Sequence, residues 1–401
     1  KVHQGIREAL GPQKIDNSPM EAFAPIGNYI SNLLPYRGCQ NSQVTFFPNG
    51  QAFFDDLIKE LDKAEKFIFL EYFIIAKGVI WGRIHEILKK KVQQGVEVRL
   101  VYDDIGSTFN LKNNYYKTLR KEGIKCHKFN PFRPLVSGIY NNRDHRKICV
   151  IDRRCAYTGG LNLADEYANI TSPYGNWKDT GTKICGKGVK NFITMFLSIY
   201  DIASKSTSNY SEYLDGDYQF FKEDGFTLPF SDGPSPFYPE NISENVISNM
   251  ISGAEKTVYI STPYLIPSYN LLETIRTAAL KGVDVRIIVP GIPDKKIIYL
   301  MTKSNFKNLF NAGVKIYYYT PGFNHAKSIL VDNQLAFVGT VNIDFRSLVH
   351  HYEDGVILYK NSCLQDISND FNSMLNESKQ VTKENFKFSY LSRLFCSILK
   401  L

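Results

Sequence analysis

No stretch of the 401-residue chain reaches the roughly 18 uninterrupted apolar positions that a bilayer-crossing helix needs. The most apolar run, FIFLEYFIIA from Phe67 to Ala76, is too short and is interrupted by Glu71, so it reads as a buried strand. Cysteine is sparse. The seven (Cys39, Cys126, Cys149, Cys155, Cys185, Cys363 and Cys396) are scattered, odd in number and form no C-x-x-C pair. That argues against a zinc site and a disulfide framework, and for a reducing, cytosol-facing compartment. Acidic residues fall short of basic ones, 40 against 48, which leaves a net charge of +8. Such a surplus favours anionic partners, whether phospholipid headgroups, nucleic acid or phosphorylated metabolites, without choosing among them.

What is present is a duplication, and a period of this length is the first thing to read. KAEKFIFLEYFI (Lys63 to Ile74) matches GAEKTVYISTPYLIP (Gly253 to Pro267), and QGVEVRLVYDDIGS (Gln94 to Ser107) matches KGVDVRIIVPGIPD (Lys281 to Asp294). EGIKCHKFNPF (Glu122 to Phe132) matches AGVKIYYYTPG (Ala312 to Gly322), and DHRKICVIDRRCAYTGGLN (Asp144 to Asn162) matches NHAKSILVDNQLAFVGTVN (Asn324 to Asn342). Each half predicts helix, strand, helix, strand, helix, strand, strand, which is the alternation of parallel βαβ units with a mixed sheet. The first half carries about ten extra residues between Pro131 and Asp144, a longer loop. The expected division is an N-terminal, membrane-proximal segment at 1–42, a first lobe at 43–204, a linker at 205–241 that includes the proline-rich DGPSPFYPEN, a second lobe at 242–380, and a C-terminal segment at 381–401.

The last repeated unit carries the chemistry. It reads H-x-K-x-x-x-x-D twice, as His145, Lys147 and Asp152, and again as His325, Lys327 and Asp332; Asn162 and Asn342 follow. Residues i and i+2 of a strand share a face, so each His projects with its Lys. A two-fold relation between the halves brings both pairs to one cleft, where so much like charge is unfavourable without an anion. A tetrahedral phosphodiester answers that need. One His attacks phosphorus and forms a phosphohistidine, and the other protonates the departing alkoxide. The lysines hold the non-bridging oxygens, Asn162 and Asn342 donate amide hydrogens to them, and each Asp is expected to orient an imidazole. No carboxylate cluster calls for a metal.

One such motif is weak evidence, because a lone His on a strand is usually an ordinary half-buried residue. Two copies at equivalent places of a repeat supply the specificity. Glu353 reads either as a hydrogen-bond acceptor for a site His or Lys or as a surface carboxylate. Glu71, costly among apolar strand residues unless paired, is expected beside a site cation. Tyr264 reads as flanking the cleft or as core, and His350 and His351 as surface. The final residues place Phe388, Leu391, Leu394, Phe395, Ile398 and Leu399 at helical spacing with Lys387, Arg393 and Lys400 interspersed, either an interfacial helix or one packed on the core.

The duplicated HRKICVID and HAKSILVD resemble the signature of the phospholipase D superfamily, over a stretch from about Val44 to about Tyr359. Within it, FIFLEYFI, GGLNLADEYAN, NWKDT, STPYLIP, GVDVRIIVPG, FNHAKSILVD and GTVNIDFRSL…HYEDG resemble bacterial-type cardiolipin synthases. The resemblance implies an α/β fold of two pseudo-symmetric phospholipase D-like lobes, each a mixed, mostly parallel β-sheet flanked by helices, with one active site at their interface. It implies transfer between two phosphatidylglycerols to give cardiolipin and glycerol, without cofactor or metal, at the cytoplasmic face of a membrane. By similarity His145 is the nucleophile and His325 the general acid; the two motifs are too alike to separate them otherwise. Asn162, Asn342, Glu353, Glu71 and Tyr264 are the expected substrate-binding residues. Anionic phospholipid and a membrane surface are the expected partners, with no nucleic acid. Members of that family usually carry N-terminal transmembrane helices, and none is present here. A hydrolase or nuclease of the same superfamily, or a non-catalytic binding relative, are the competing readings; the intact motifs count against the last.

Overall fold

The computed structural model describes residues 17–131, 142–223 and 225–383. The first half folds into β1 (Gln43–Phe47), β2 (Phe67–Tyr72), β3 (Glu97–Asp103), β4 (Lys125–Phe129), β5 (Lys147–Ile151), β6 (Cys155–Gly159), β7 (Asn176–Lys178) and β8 (Gly181–Cys185). The second half folds into β9 (Phe226–Asp232), β10 (Thr257–Ser261), β11 (Leu265–Ile266), β12 (Asp284–Pro290), β13 (Lys315–Tyr319), β14 (Gly322–Asn324), β15 (Ser328–Val331), β16 (Leu335–Gly339), β17 (Ile343–Asp344), β18 (Glu353–Tyr359) and β19 (Ser378–Gln380).

The two large sheets have one topology. The first runs β4-β3-β2-β5-β6-β8-β1 and the second β13-β12-β10-β15-β16-β18-β9, with β19 added at the second sheet's edge beside β13. In each, three parallel strands meet an antiparallel partner: β2 lies parallel to β3 and antiparallel to β5, and β10 lies parallel to β12 and antiparallel to β15. Parallel strands must be covered on both faces, and the β2 and β5 residues are accordingly all buried. Gly95 and Gly282, at φ 86° and 97°, end the preceding helices in the left-handed conformation and turn the chain into β3 and β12.

Helices Gly50–Leu61 and Val79–Gln93 bury one face of the first sheet. Helix Val189–Ser204 buries the other, and its Phe192, Phe196 and Ile199 belong to a core that continues into Val246, Ile260 and Phe337 of the second lobe. The expected linker at 205–241 is therefore only partly a linker. Its Phe226–Asp232 is the fully buried edge strand β9, paired with β18, so the second sheet starts ahead of the proline-rich stretch. The reason is compositional: FTLPFSD buries well, but its Pro229 hides the strand pattern. Helix Ala24–Leu33 packs Ile26 and Ile30 into the same core as Ile247 and Met250. Among the described residues no helix is long and apolar enough to cross a membrane. The C-terminal amphipathic stretch and most of the long loop after Pro131 lie outside the described residues.

Candidate active site

Both motifs sit where the lobes touch, and the backbone itself ties them across the seam. The His145 amide donates to the Tyr352 carbonyl at 2.9 Å, and the His325 amide to the Lys178 carbonyl at 2.7 Å. Strands β7 and β14 pair in parallel between the lobes. Each motif His thus stands at the mouth of β5 or β15, anchored to the opposite lobe.

The imidazoles take their carboxylate partners from across the seam. His145 Nδ1 lies 2.9 Å from both oxygens of Glu353, and His325 Nδ1 lies 2.6 Å from Asp179 Oδ2. Asp179 and Glu353 are equivalent: each lies two residues ahead of a glycine, Gly181 or Gly355, that pairs with Gly159 or Gly339. Thr340 and Ser347 each donate a hydroxyl to Glu353 at 2.5 Å. Burial works to raise both carboxyls, but His145 brings Glu353 below the usual carboxylate range, and His325 with Lys327 does the same for Asp179. Both stay ionised at neutral pH.

Lys147 and Lys327 are buried and each bonds the carbonyl of its own motif His. Lys327 Nζ also lies 2.8 Å from His325 Nδ1. Burial lowers Lys147 to about 8 and Lys327 to about 7, against the carboxylates around them. Burial likewise depresses His145 far below its ordinary value and His325 to about 4. The two pairs share one cleft electrostatically, because Lys147 pushes down both His325 and Lys327. The arrangement is an anion site with two neutral imidazoles, each held by a fixed carboxylate.

Several expected site residues turn out to be placed otherwise. Asp152 accepts the backbone N–H groups of Glu65, Lys66 and Phe67 at 2.8–3.0 Å, and Asp332 those of Glu255, Lys256 and Thr257 at 2.7–2.8 Å. They lock the turn before β2 and β10, at the far end of β5 and β15 from the His. A strand of five residues in the first lobe and four in the second separates the motif His from its Asp by its whole length, so the spacing could not deliver contact. Asn162 is held within its own lobe: its oxygen accepts from the Ile74 amide at 2.9 Å and one of its amide hydrogens goes to Tyr167 at 2.6 Å. Asn342 is buried with its side-chain oxygen unpartnered. Glu71 pairs with Arg146 at 2.6 Å, not with a motif Lys, because Arg146 projects from the opposite face of the chain to Lys147. Tyr264 donates to Asp294 at 2.6 Å and is half-buried. Glu353 meets His145, as one of its two readings had it.

Asp179 and His351 are the residues that sequence reasoning passed over. The signal for Asp179 was the internal alignment of NWKDTG with HHYEDG. His351, read as surface, has a side chain only 10 % exposed, with its ring 5.3 Å from that of His145. Its counterpart in the first half is Trp177, 5.2 Å from His325.

A family described as cardiolipin synthase, PLD-like domain matches residues 57–171 and 247–375, one block in each lobe. The chain is 46 % identical over 363 residues to an uncharacterised protein of Streptococcus mutans, covering 90 % of this chain and 78 % of that one. It is 38 % identical over 346 residues to a cardiolipin synthase of Oceanobacillus iheyensis, covering 86 % and 71 %. It is 36 % identical over 372 residues to one of Clostridium perfringens, covering 90 % and 76 %. Among solved structures it matches a phosphatidylserine synthase of Haemophilus influenzae with a TM-score of 0.71 at 16 % identity, over 94 % of this chain and 96 % of that one, a likeness of fold. With a family match in both lobes and relatives aligned over most of their length, the chain belongs to the cardiolipin synthase family of phospholipase D-like proteins.

Proposed function

We propose that the protein is a phosphatidyltransferase that makes cardiolipin from two phosphatidylglycerols and releases glycerol. The observation that carries this reading is the doubled His–Lys pair, each imidazole held by a carboxylate of the opposite lobe. Glu353 accepts a hydrogen bond from Nδ1–H of His145, which fixes the tautomer and leaves the Nε2 lone pair free for phosphorus. As the N–P bond forms, the P–O bond to glycerol breaks and His325 supplies the proton that the alkoxide needs. The hydroxyl of a second phosphatidylglycerol then gives its proton to His325 and attacks phosphorus, which restores His145. Lys147 and Lys327 offset the charge on the non-bridging oxygens. The arriving anion favours the charged lysines and the protonated His325 that burial otherwise disfavours.

Access to a bilayer is supported by helix Lys296–Ser304. Only Thr302 of it is buried, while Ile297 is 55 % and Leu300 37 % exposed beside Lys295 and Lys296. Apolar and basic residues on one exposed helix suit the interface of an anionic membrane. Incubation with phosphatidylglycerol vesicles tests the assignment. Cardiolipin with equimolar glycerol is expected; phosphatidic acid alone would mean hydrolysis, and cleavage of DNA or RNA without lipid turnover would sink the lipid reading. His145→Ala and His325→Ala should each abolish turnover, and full activity in either refutes the paired-histidine mechanism.

A further inference from the structure

We infer that His145, His351 and Glu353 form a binding site for a zinc-like dication whose occupation switches the enzyme off. One ligand atom from each residue lies within 4.8 Å of the others. His351 Nε2 is buried without a hydrogen-bond partner, and its Nδ1 faces only the Glu353 carboxylate, at a distance longer than a good hydrogen bond. Buried polar atoms normally find good partners, so an imidazole with one nitrogen unpaired and the other only loosely paired marks a place where something else can bind. His351 Nδ1 lies 3.5 Å from Glu353 Oε1, and His145 Nδ1 lies 2.9 Å from that same oxygen. A tetrahedral ion with bonds of about 2.0–2.1 Å sets its ligands about 3.3–3.4 Å apart, a length these two spacings bracket. The hydroxyls of Thr340 and Ser347 already fix the carboxylate from behind, as outer-shell groups do at metal sites.

The duplication provides a control inside the same molecule. His325 and Asp179 have the equivalent geometry, but Trp177 stands where His351 does, and an indole offers no lone pair to a metal. Only the first-lobe imidazole is therefore open to capture. A metal on Nδ1 leaves the ring proton on Nε2, so the lone pair that would attack phosphorus is gone.

The inference rests on the use of His145 in the reaction, and the experiment separates the two. Zn²⁺ alone is titrated into the full chain, with binding followed calorimetrically and phosphatidylglycerol turnover followed in parallel; Co²⁺ serves as a tetrahedral reporter by its visible absorption. One bound equivalent and a loss of turnover reversed by chelator are expected. In His351→Asn and His351→Gln, with inhibition scaled to each variant's own metal-free turnover, the midpoint should shift upward by more than the roughly 10–100-fold that loss of an outer-shell partner causes. An unshifted midpoint in both variants, or no binding to the parent chain, overturns the site. Binding with undiminished turnover overturns the inhibition and places the fault in the catalytic role of His145.

Discussion

Glu353 and Asp179 are the side chains on which the two imidazoles depend for tautomer and direction, whereas Asp152 and Asp332 serve the backbone. Substitutions should separate these roles. Glu353→Gln and Asp179→Asn remove a charge and a fixed acceptor, so kcat should fall by about 10²–10⁴-fold with vesicle binding unchanged. Asp152→Asn instead weakens three backbone hydrogen bonds. It should lower stability by about 1–3 kcal/mol in denaturant titrations, while the folded fraction keeps kcat within a few-fold. Lys327 gives a pH test. Its folded value of about 7 lies below the ordinary 10.5, so above pH 7 the unfolded chain holds a proton the folded chain has shed. Stability attributable to Lys327 must then rise with pH across that window. The parent's stability relative to Lys327→Met should increase between pH 7 and 8.5, and inorganic phosphate, which selects the charged form, should protect more at pH 7. A pH-independent difference would contradict the burial of that ammonium.

At the scale of elements, the turns that leave β6 and β16 set how closely each carboxylate reaches its imidazole. In the second lobe the turn carries Thr340, whose hydroxyl braces the longer Glu353. In the first it carries Gly160, where an added Cβ would stand 2.0 Å from Asp179 Oδ1. The shorter aspartate draws the backbone in, and only glycine fits. Gly160→Ala should displace the carboxylate and lower kcat by about 10²-fold, since a shift near 1 Å at a positioned group suffices for that. Turnover measured beside circular dichroism distinguishes this from unfolding. Helix Lys296–Ser304 supplies the second element-scale test. Ile297→Asp and Leu300→Asp should depress activity on vesicles severalfold and spare activity on dispersed short-chain lipid. Equal loss on both substrates would remove this helix from the membrane reading.

For the whole molecule, the lobes behave as one body because they share a core and interlock at the seam. Lys178 of β7 forms a buried ion pair at 2.7 Å with Asp370 of helix Leu364–Asn376, and its carbonyl holds the His325 amide. Lys178→Met leaves Asp370 buried without its charge partner, which should remove about 3–5 kcal/mol. Chemical denaturation should show one transition at lower denaturant, with kcat reduced as well because the lost contact adjoins His325. Two separated transitions would contradict the continuous core.

The duplication, the alternation of helix and strand, and the four motif residues His145, Lys147, His325 and Lys327 were legible in the sequence. They depend on local patterns: hydrophobic alternation, glycine-closed helices and a repeat whose halves share identities at matching places. Strand β9 was hidden by Pro229 and a polar approach, and the motif aspartates were misread because a strand carries its two ends apart. What only the tertiary structure decided is the partner of each charge. Glu353 reaches His145 across 208 positions and Asp179 reaches His325 across 146, each from the other lobe. Such pairings follow from the seam between the sheets, and burial there converts ordinary lysines and histidines into groups that titrate near or below neutrality.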